Sequence, residues 1–201
     1  KRDGQSAHIF NPSAFVLFLT SIVLIATNNT PMTWGIEIST TFTHPPNFYL
    51  EIFLVGLIVQ SLFAVTLVTL TSALTLALVT VGYLTTTGIY PFIDTNIHPA
   101  VFLGLHLLVT DPATSPRTGP GRLLYGLSLG LGIWAVSAGL TAIGQHDVYG
   151  KVIPVPLLNW LVPHFDRWGE RLGPLKSWLA PRWNVAHVAA WVALAAGFIY
   201  L

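Results

Sequence analysis

The chain is built from long apolar blocks separated by short polar breaks, and the block lengths predict its elements. Asn11-Pro12-Ser13 opens an apolar run from Ala14 to Ala26. There the Asn side chain can accept orphan N–H bonds, and Pro suits the first helical position. From Phe48 to Leu84 the sequence is almost unbroken apolar, too long for one crossing of ~20 residues, and it divides near Thr66 to Ser72. The run Val101–Val109 is too short to cross as a helix, whereas Gly121–Ile143 and Asn184–Leu201 are long enough. The pattern predicts spans over about residues 13–27, 48–66, 70–86, 121–143 and 184–201, a half-span over 98–109 and an interfacial stretch over 151–182. The expected fold is an all-α integral membrane protein, one multi-pass helical bundle over residues 1–201 with re-entrant or broken helices.

The half-span ends at Thr110-Asp111-Pro112-Ala113-Thr114-Ser115-Pro116. Asp before Pro is a helix-start signature, so Asp111 is expected as the N-cap of the helix that follows. A polar break at membrane depth costs several kcal/mol per exposed backbone group unless it lies in protein or lines a cavity. The segment is therefore either a site or a surface loop between two ordinary helices. Asn11-Pro12-Ser13-Ala14 and Asp111-Pro112-Ala113-Thr114 also look alike. They are either corresponding positions of an inverted repeat or two separate uses of a common helix start.

Composition adds to the membrane reading. Of 201 residues 53% are hydrophobic and 8% charged, against about 25% charged in soluble domains, and the mean hydropathy is +0.66. A net charge of +1 without a basic block argues against a nucleic-acid partner. The absence of cysteine excludes disulfides, thiolate catalysis and cysteine-ligated clusters within this chain. Lys1-Arg2-Asp3-Gly4 has neither an initiator Met nor a signal-peptide pattern, so both ends are treated as open.

The loops Thr27–Asn47 and Thr85–Asn96 carry no Lys or Arg and read as non-cytoplasmic. Lys151, Arg167, Arg171, Lys176 and Arg182 mark residues 144–182 as cytoplasmic, on the inner face of a cell (inner) membrane. With 98–109 re-entrant, Arg117 and Arg122 fall outside beside the cation-free loops and the other seven of the nine cations fall inside. That fits the charge rule better than a full crossing. Glu51 reads as an interfacial carboxylate and Gln60 as a bond to a neighbouring helix. The pair Gly126 and Gly130 suits close helix packing, or the close approach of a flat ligand.

The motif at 110–116 is followed by Gly121-Arg122 and Tyr125-Gly126, then by Leu157-Leu158-Asn159, Leu161-Val162-Pro163 and Asp166-Arg167. With Asn11-Pro12-Ser13-Ala14, these segments make residues 8 to 167 resemble the RnfD/NqrB family of membrane subunits. RnfD belongs to the Rnf electron-transport complex and NqrB to the sodium-translocating NADH:quinone reductase, and the chain is similar in particular to the family's short UnbU-like branch. The resemblance implies a bundle of inverted repeats with broken helices, other membrane subunits as partners, and a flavin. Family members attach FMN through a threonine in Ser-Gly-Ala-Thr. This chain has no such motif, and Thr85-Thr86-Thr87-Gly88 is a poor substitute, so the implied FMN or riboflavin is non-covalent. Its expected contacts are Asp111, Pro112, Thr114 and Ser115, with Arg117 or Arg122 as the cation near its phosphate and Asn11 from the earlier segment.

Two further readings use the same residues. In a channel-like protein the two half-helix starts line a path for a small solute or ion, and Glu51, Gln60 and Asp94 gain importance. In the third reading the chain is a flavin-free scaffold subunit of a larger complex. His106 and His187 lie in apolar surroundings. A lone membrane histidine more often bonds to a backbone carbonyl or a neighbouring protein than ligates a pigment, so haem and chlorophyll are not expected.

Overall fold

In the computed structural model, which describes residues 8–33, 47–90, 104–173 and 179–200, the Asn11 side chain accepts the Ala14 N–H at 3.1 Å. It thereby starts α1 (Pro12–Ala26), with Pro12 in the first turn. Among the described residues five more helices follow: α2 (Asn47–Phe63), α3 (Thr66–Thr87), α4 (Gly119–Ala142), α5 (Pro154–Glu170) and α6 (Asn184–Tyr200). A π-helical turn at Gly104–Leu108 and 3-10 turns at Thr30–Met32, Asp147–Lys151 and Pro181–Trp183 complete the regular structure, and there is no strand among the described residues. Among the described residues, only α3 and α4 are both long and apolar enough to cross a membrane by length and composition; α1 is apolar but shorter.

α3 and α4 form the centre, and small residues set their separation. A Cβ on Gly126 would collide with Thr71 Oγ1 and lie 2.8 Å from the Val68 carbonyl oxygen, and one on Gly130 would lie 2.6 Å from that of Ser72. The glycine pair therefore serves helix packing, with α3 in the place a flat ligand would need. Further along, Tyr83 meets Trp134 edge-on at 5.8 Å. Contacts that advance together on both helices make α3 and α4 parallel. α5 runs against the first half of α4, from Pro154 beside Gly132 to Gly169, where a Cβ would sit 2.6 Å from the Gly121 nitrogen. α6 starts level with the end of α2, where Asn184 Nδ2 donates to the Gln60 carbonyl at 3.2 Å, and passes Phe53 at Trp191, with ring centroids 6.1 Å apart.

Four expectations change. The boundary between the second and third helices is Ala64-Val65, with Ala64 in the left-handed region at φ 54°, rather than Thr66 to Ser72. The stretch expected as interfacial contains α5, which continues through Pro163 and buries Val155, Asn159, Val162 and Phe165 on one face. The parallel pair overturns the placing of Arg117 and Arg122 beside the loop at Thr85–Asn96. From Thr69 to Thr87, α3 carries the chain about 27 Å away at 1.5 Å per residue. Yet Leu105 lies back beside Thr69, whose Oγ1 donates to its carbonyl at 2.8 Å. The two arginines therefore lie at the opposite end of α3 from Thr87. Of the expected half-span, residues 98–103 lie outside the described residues, as does Asp94.

The fourth correction concerns the helix start. α4 begins at Gly119 with Thr118 as its cap, whose side chain accepts from Gly121 N. The geometry of Asn11 to Ala14 is thus repeated at Thr118 to Gly121 and not at Asp111, so the two Asx-Pro segments are not equivalent helix starts.

α3 also sorts its side chains in an unusual way. Thr66, Thr69, Ser72 and Thr75 are buried, while Leu74, Leu78 and Val81 are 45%, 63% and 57% exposed. α2 likewise exposes Leu54, Val55, Ile58 and Leu62, and α1 exposes Val16, Leu17 and Val23.

Candidate functional site

The segment after the π-helical turn folds into a knot closed by its own side chains. Asp111 is followed by Pro112, which has no N–H to give a helix, so the carboxylate closes a local turn instead. Its Oδ1 accepts Ala113 N at 3.0 Å and its Oδ2 accepts Thr114 Oγ1 at 3.1 Å. Its carbonyl accepts Thr114 N at 3.2 Å and Ser115 N at 3.1 Å. Ser115 Oγ reaches the Val109 carbonyl at 3.0 Å and that of Asp111 at 2.8 Å. Thr114 and Ser115 are buried, Asp111 is half-buried and Pro112 is exposed.

Asn159 of α5 ties this knot to α1 and α4. Its Nδ2 donates to the Thr114 carbonyl at 3.2 Å and to Tyr125 Oη at 3.1 Å, and its Oδ1 accepts Asn11 N at 3.4 Å. Asn11 Nδ2 in turn donates to the Leu108 carbonyl at 3.2 Å. The structure thus brings together Asn11, Asp111, Thr114 and Ser115. Asp111→Ala is expected to lower stability by about 1 kcal/mol for the lost turn bonds to Ala113 and Thr114. Asp111→Asn should stay near the parent, since an amide can keep the Ala113 bond. Melting curves in detergent check both, and equal loss from Ala and Asn would show that the charge itself matters.

The arginines stand at the knot's far edge, where the chain enters α4. Asp166 of α5 fills that helix start: its Oδ1 accepts Arg117 N at 2.8 Å, Thr118 N at 2.9 Å and Thr118 Oγ1 at 3.1 Å. This is the anion that a helix N-terminus favours, supplied by the chain itself. The close crossing it needs depends on Gly121, where a Cβ would lie 2.9 Å from Asp166 Oδ1. Arg122 Nε donates to the Pro116 carbonyl at 2.9 Å and Nη1 to the Ala64 carbonyl at 2.6 Å. It fastens the knot to the left-handed turn between α2 and α3. The Arg117 side chain is exposed.

A flavin phosphate does not fit this motif. From Pro112 to Thr118 each backbone N–H is committed to Asp111 or Asp166, and the two prolines have none. Two carboxylates would also face the phosphate.

A second polar cluster lies in the apolar interior beside the knot, on the fully buried His106. Its Nε2 is 2.8 Å from the Phe53 carbonyl, and its Nδ1 is 3.2 Å from Trp191 Nε1 and 3.0 Å from Gln60 Nε2. An indole N–H only donates. Nδ1 is therefore the acceptor, and the ring is the neutral tautomer that donates from Nε2. The Gln60 amide also donates to the His106 carbonyl at 3.1 Å, as expected for a glutamine that bonds to its neighbour. Phe53 stacks on the imidazole with centroids 4.9 Å apart, and Gly56 leaves the ring its space. Both ring nitrogens are engaged, which leaves neither for a haem or chlorophyll metal. Glu51 is exposed and lines an open groove with Ile52, Val55 and Leu107.

Comparison with protein-family models, curated proteins and solved structures finds no match for this chain.

Proposed function

We propose that the chain is a multi-pass subunit of a cell (inner) membrane that builds the membrane part of a larger assembly of the RnfD/NqrB electron-transport type. The observation that supports the membrane reading is the sorting on α3: Thr66, Thr69, Ser72 and Thr75 lie inside beside Leu67, Val68 and Leu76, while Leu74, Leu78 and Val81 lie outside. In water each such exposed side chain forgoes ~1.5 to 3 kcal/mol of burial. In lipid, apolar burial between helices gains little, while small residues and bonded hydroxyls hold helices together. The arginines give the orientation. Arg117, Arg122, Arg167 and Arg171 lie at the end where α4 starts and α5 stops, with Arg182 on the turn before α6. Thr85 and Thr86 close α3 at the opposite end. By the positive-inside tendency the arginine end faces the cytoplasm.

The electron-transport part of the proposal comes from the resemblance alone. Within it, the committed donors of the knot favour a flavin-free structural subunit over one that holds FMN or riboflavin at residues 110–122. An optical spectrum of the purified chain tests this. The expected spectrum has no flavin band in the visible blue. A flavin band that Asp111→Ala and Arg122→Ala both abolish would reverse the reading.

A further inference from the structure

α5 is buried along the whole of its inner face, through Val155, Asn159, Val162, Phe165 and Gly169, so packing does not dictate what its outer face carries. That face changes character along its length. The first half presents Leu157 and Trp160, which are 53% and 67% exposed, together with exposed Pro163. The second half presents His164, Arg167, Trp168 and Arg171, all exposed. Such a gradient marks a helix whose outer side passes from hydrocarbon into the headgroup layer, where Trp and Arg side chains settle. The depth agrees, because Asp166 caps the start of α4, the outermost turn of a helix long enough to cross.

We infer that the outer face of the last two turns of α5 is a binding site for the phosphodiester of an anionic phospholipid, held by Arg167 and Arg171 and flanked by Trp168. The inference rests on the membrane reading above. Arg167 and Arg171 are four residues apart and so neighbours on one helical face, and two guanidinium forks suit phosphate oxygens. Trp168 is fixed beside them by ring contacts with His164 at 6.0 Å and with Phe165 at 5.7 Å. The one acid on the exposed side of these turns is Glu170, which leaves the face net positive. Asp166 points inward to the α4 start. Exposed Arg182, on the turn before α6, adds to the same field.

The test uses the whole chain in nanodiscs of pure phosphatidylcholine or of phosphatidylcholine with phosphatidylglycerol. Retained lipid is counted by native mass spectrometry. The parent is expected to retain phosphatidylglycerol selectively. Arg167→Gln should reduce that retention about 5-fold and the double variant with Arg171→Gln roughly 30-fold, at about 1 kcal/mol per cation. Arg167→Lys with Arg171→Lys should keep an intermediate level, a readout that misfolding would not give. Equal phosphatidylglycerol retention by the parent and the double glutamine variant overturns the inference. Failure of the parent to enter either kind of disc would sink the membrane reading itself.

Discussion

Replacing His106 by alanine is expected to cost about 4 kcal/mol of stability. The side chain is fully buried, and its removal leaves the Trp191 indole N–H and one Gln60 N–H without an acceptor, at ~1 to 3 kcal/mol each. The vacated space beside Gly56 adds a cavity term. His106→Asn should lose about half as much, because its carbonyl can take the place of Nδ1 while only the Phe53 bond is lost. Reversible unfolding in mixed micelles measures the difference. Equal losses from the two variants would mean that the hydrogen bonds contribute nothing and that volume alone matters.

The second large effect is expected at Asn159. Asn159→Leu keeps the approximate volume but removes the donor to Thr114 and Tyr125 and the acceptor of Asn11 N. Three groups in and around a buried knot lose a partner, and the expected cost is about 3 kcal/mol. The loss should be local as well as global, because the knot would come away from α1 and α5. Limited proteolysis after Arg117 would then accelerate well before the rest of the chain is cut. Uniform acceleration at all sites would show that Asn159 supports the bundle generally and not this segment.

These two residues show where the sequence was informative and where it was not. The Asn-Pro start of α1 and the extents of α4 and α6 were legible, because capping residues and apolar run lengths are local properties. The cap of α4 is Thr118 and not Asp111, because Asp-Pro closes a local turn as readily as it caps a helix, and the competing Thr118-Gly119-Pro120-Gly121 signal lies seven residues on. The α2–α3 boundary has no glycine, proline or asparagine. Ala64 takes the left-handed conformation there at a cost of roughly 1 to 2 kcal/mol, held by Arg122 through its carbonyl, and nothing in the local sequence marks it. The His106 cluster joins residues 46 and 85 positions apart, so only the tertiary fold reveals it. Of the proposed flavin contacts, four meet in the knot: Asp111, Thr114 and Ser115 satisfy one another, and Asn11 is taken up by Ala14, Leu108 and Asn159. That outcome depends on Asp166 and Asn159, which stand out in the sequence only through the resemblance.

The cations were misplaced for a related reason. Their spacing along the chain suggests that residues 144–182 lie on one side, whereas α5 turns back along α4 and brings Arg167 and Arg171 to the end where Arg117 stands. The absence of cysteine makes a direct check simple. Single cysteines placed at Gly88, Arg117 and Arg171 can be labelled with a membrane-impermeant maleimide in intact cells and in inverted vesicles. An inside-out bundle in a bilayer with α3 and α4 parallel requires that positions 117 and 171 label only in inverted vesicles and position 88 only in intact cells. Labelling of 88 and 117 from the same side, or of all three from both, would contradict it.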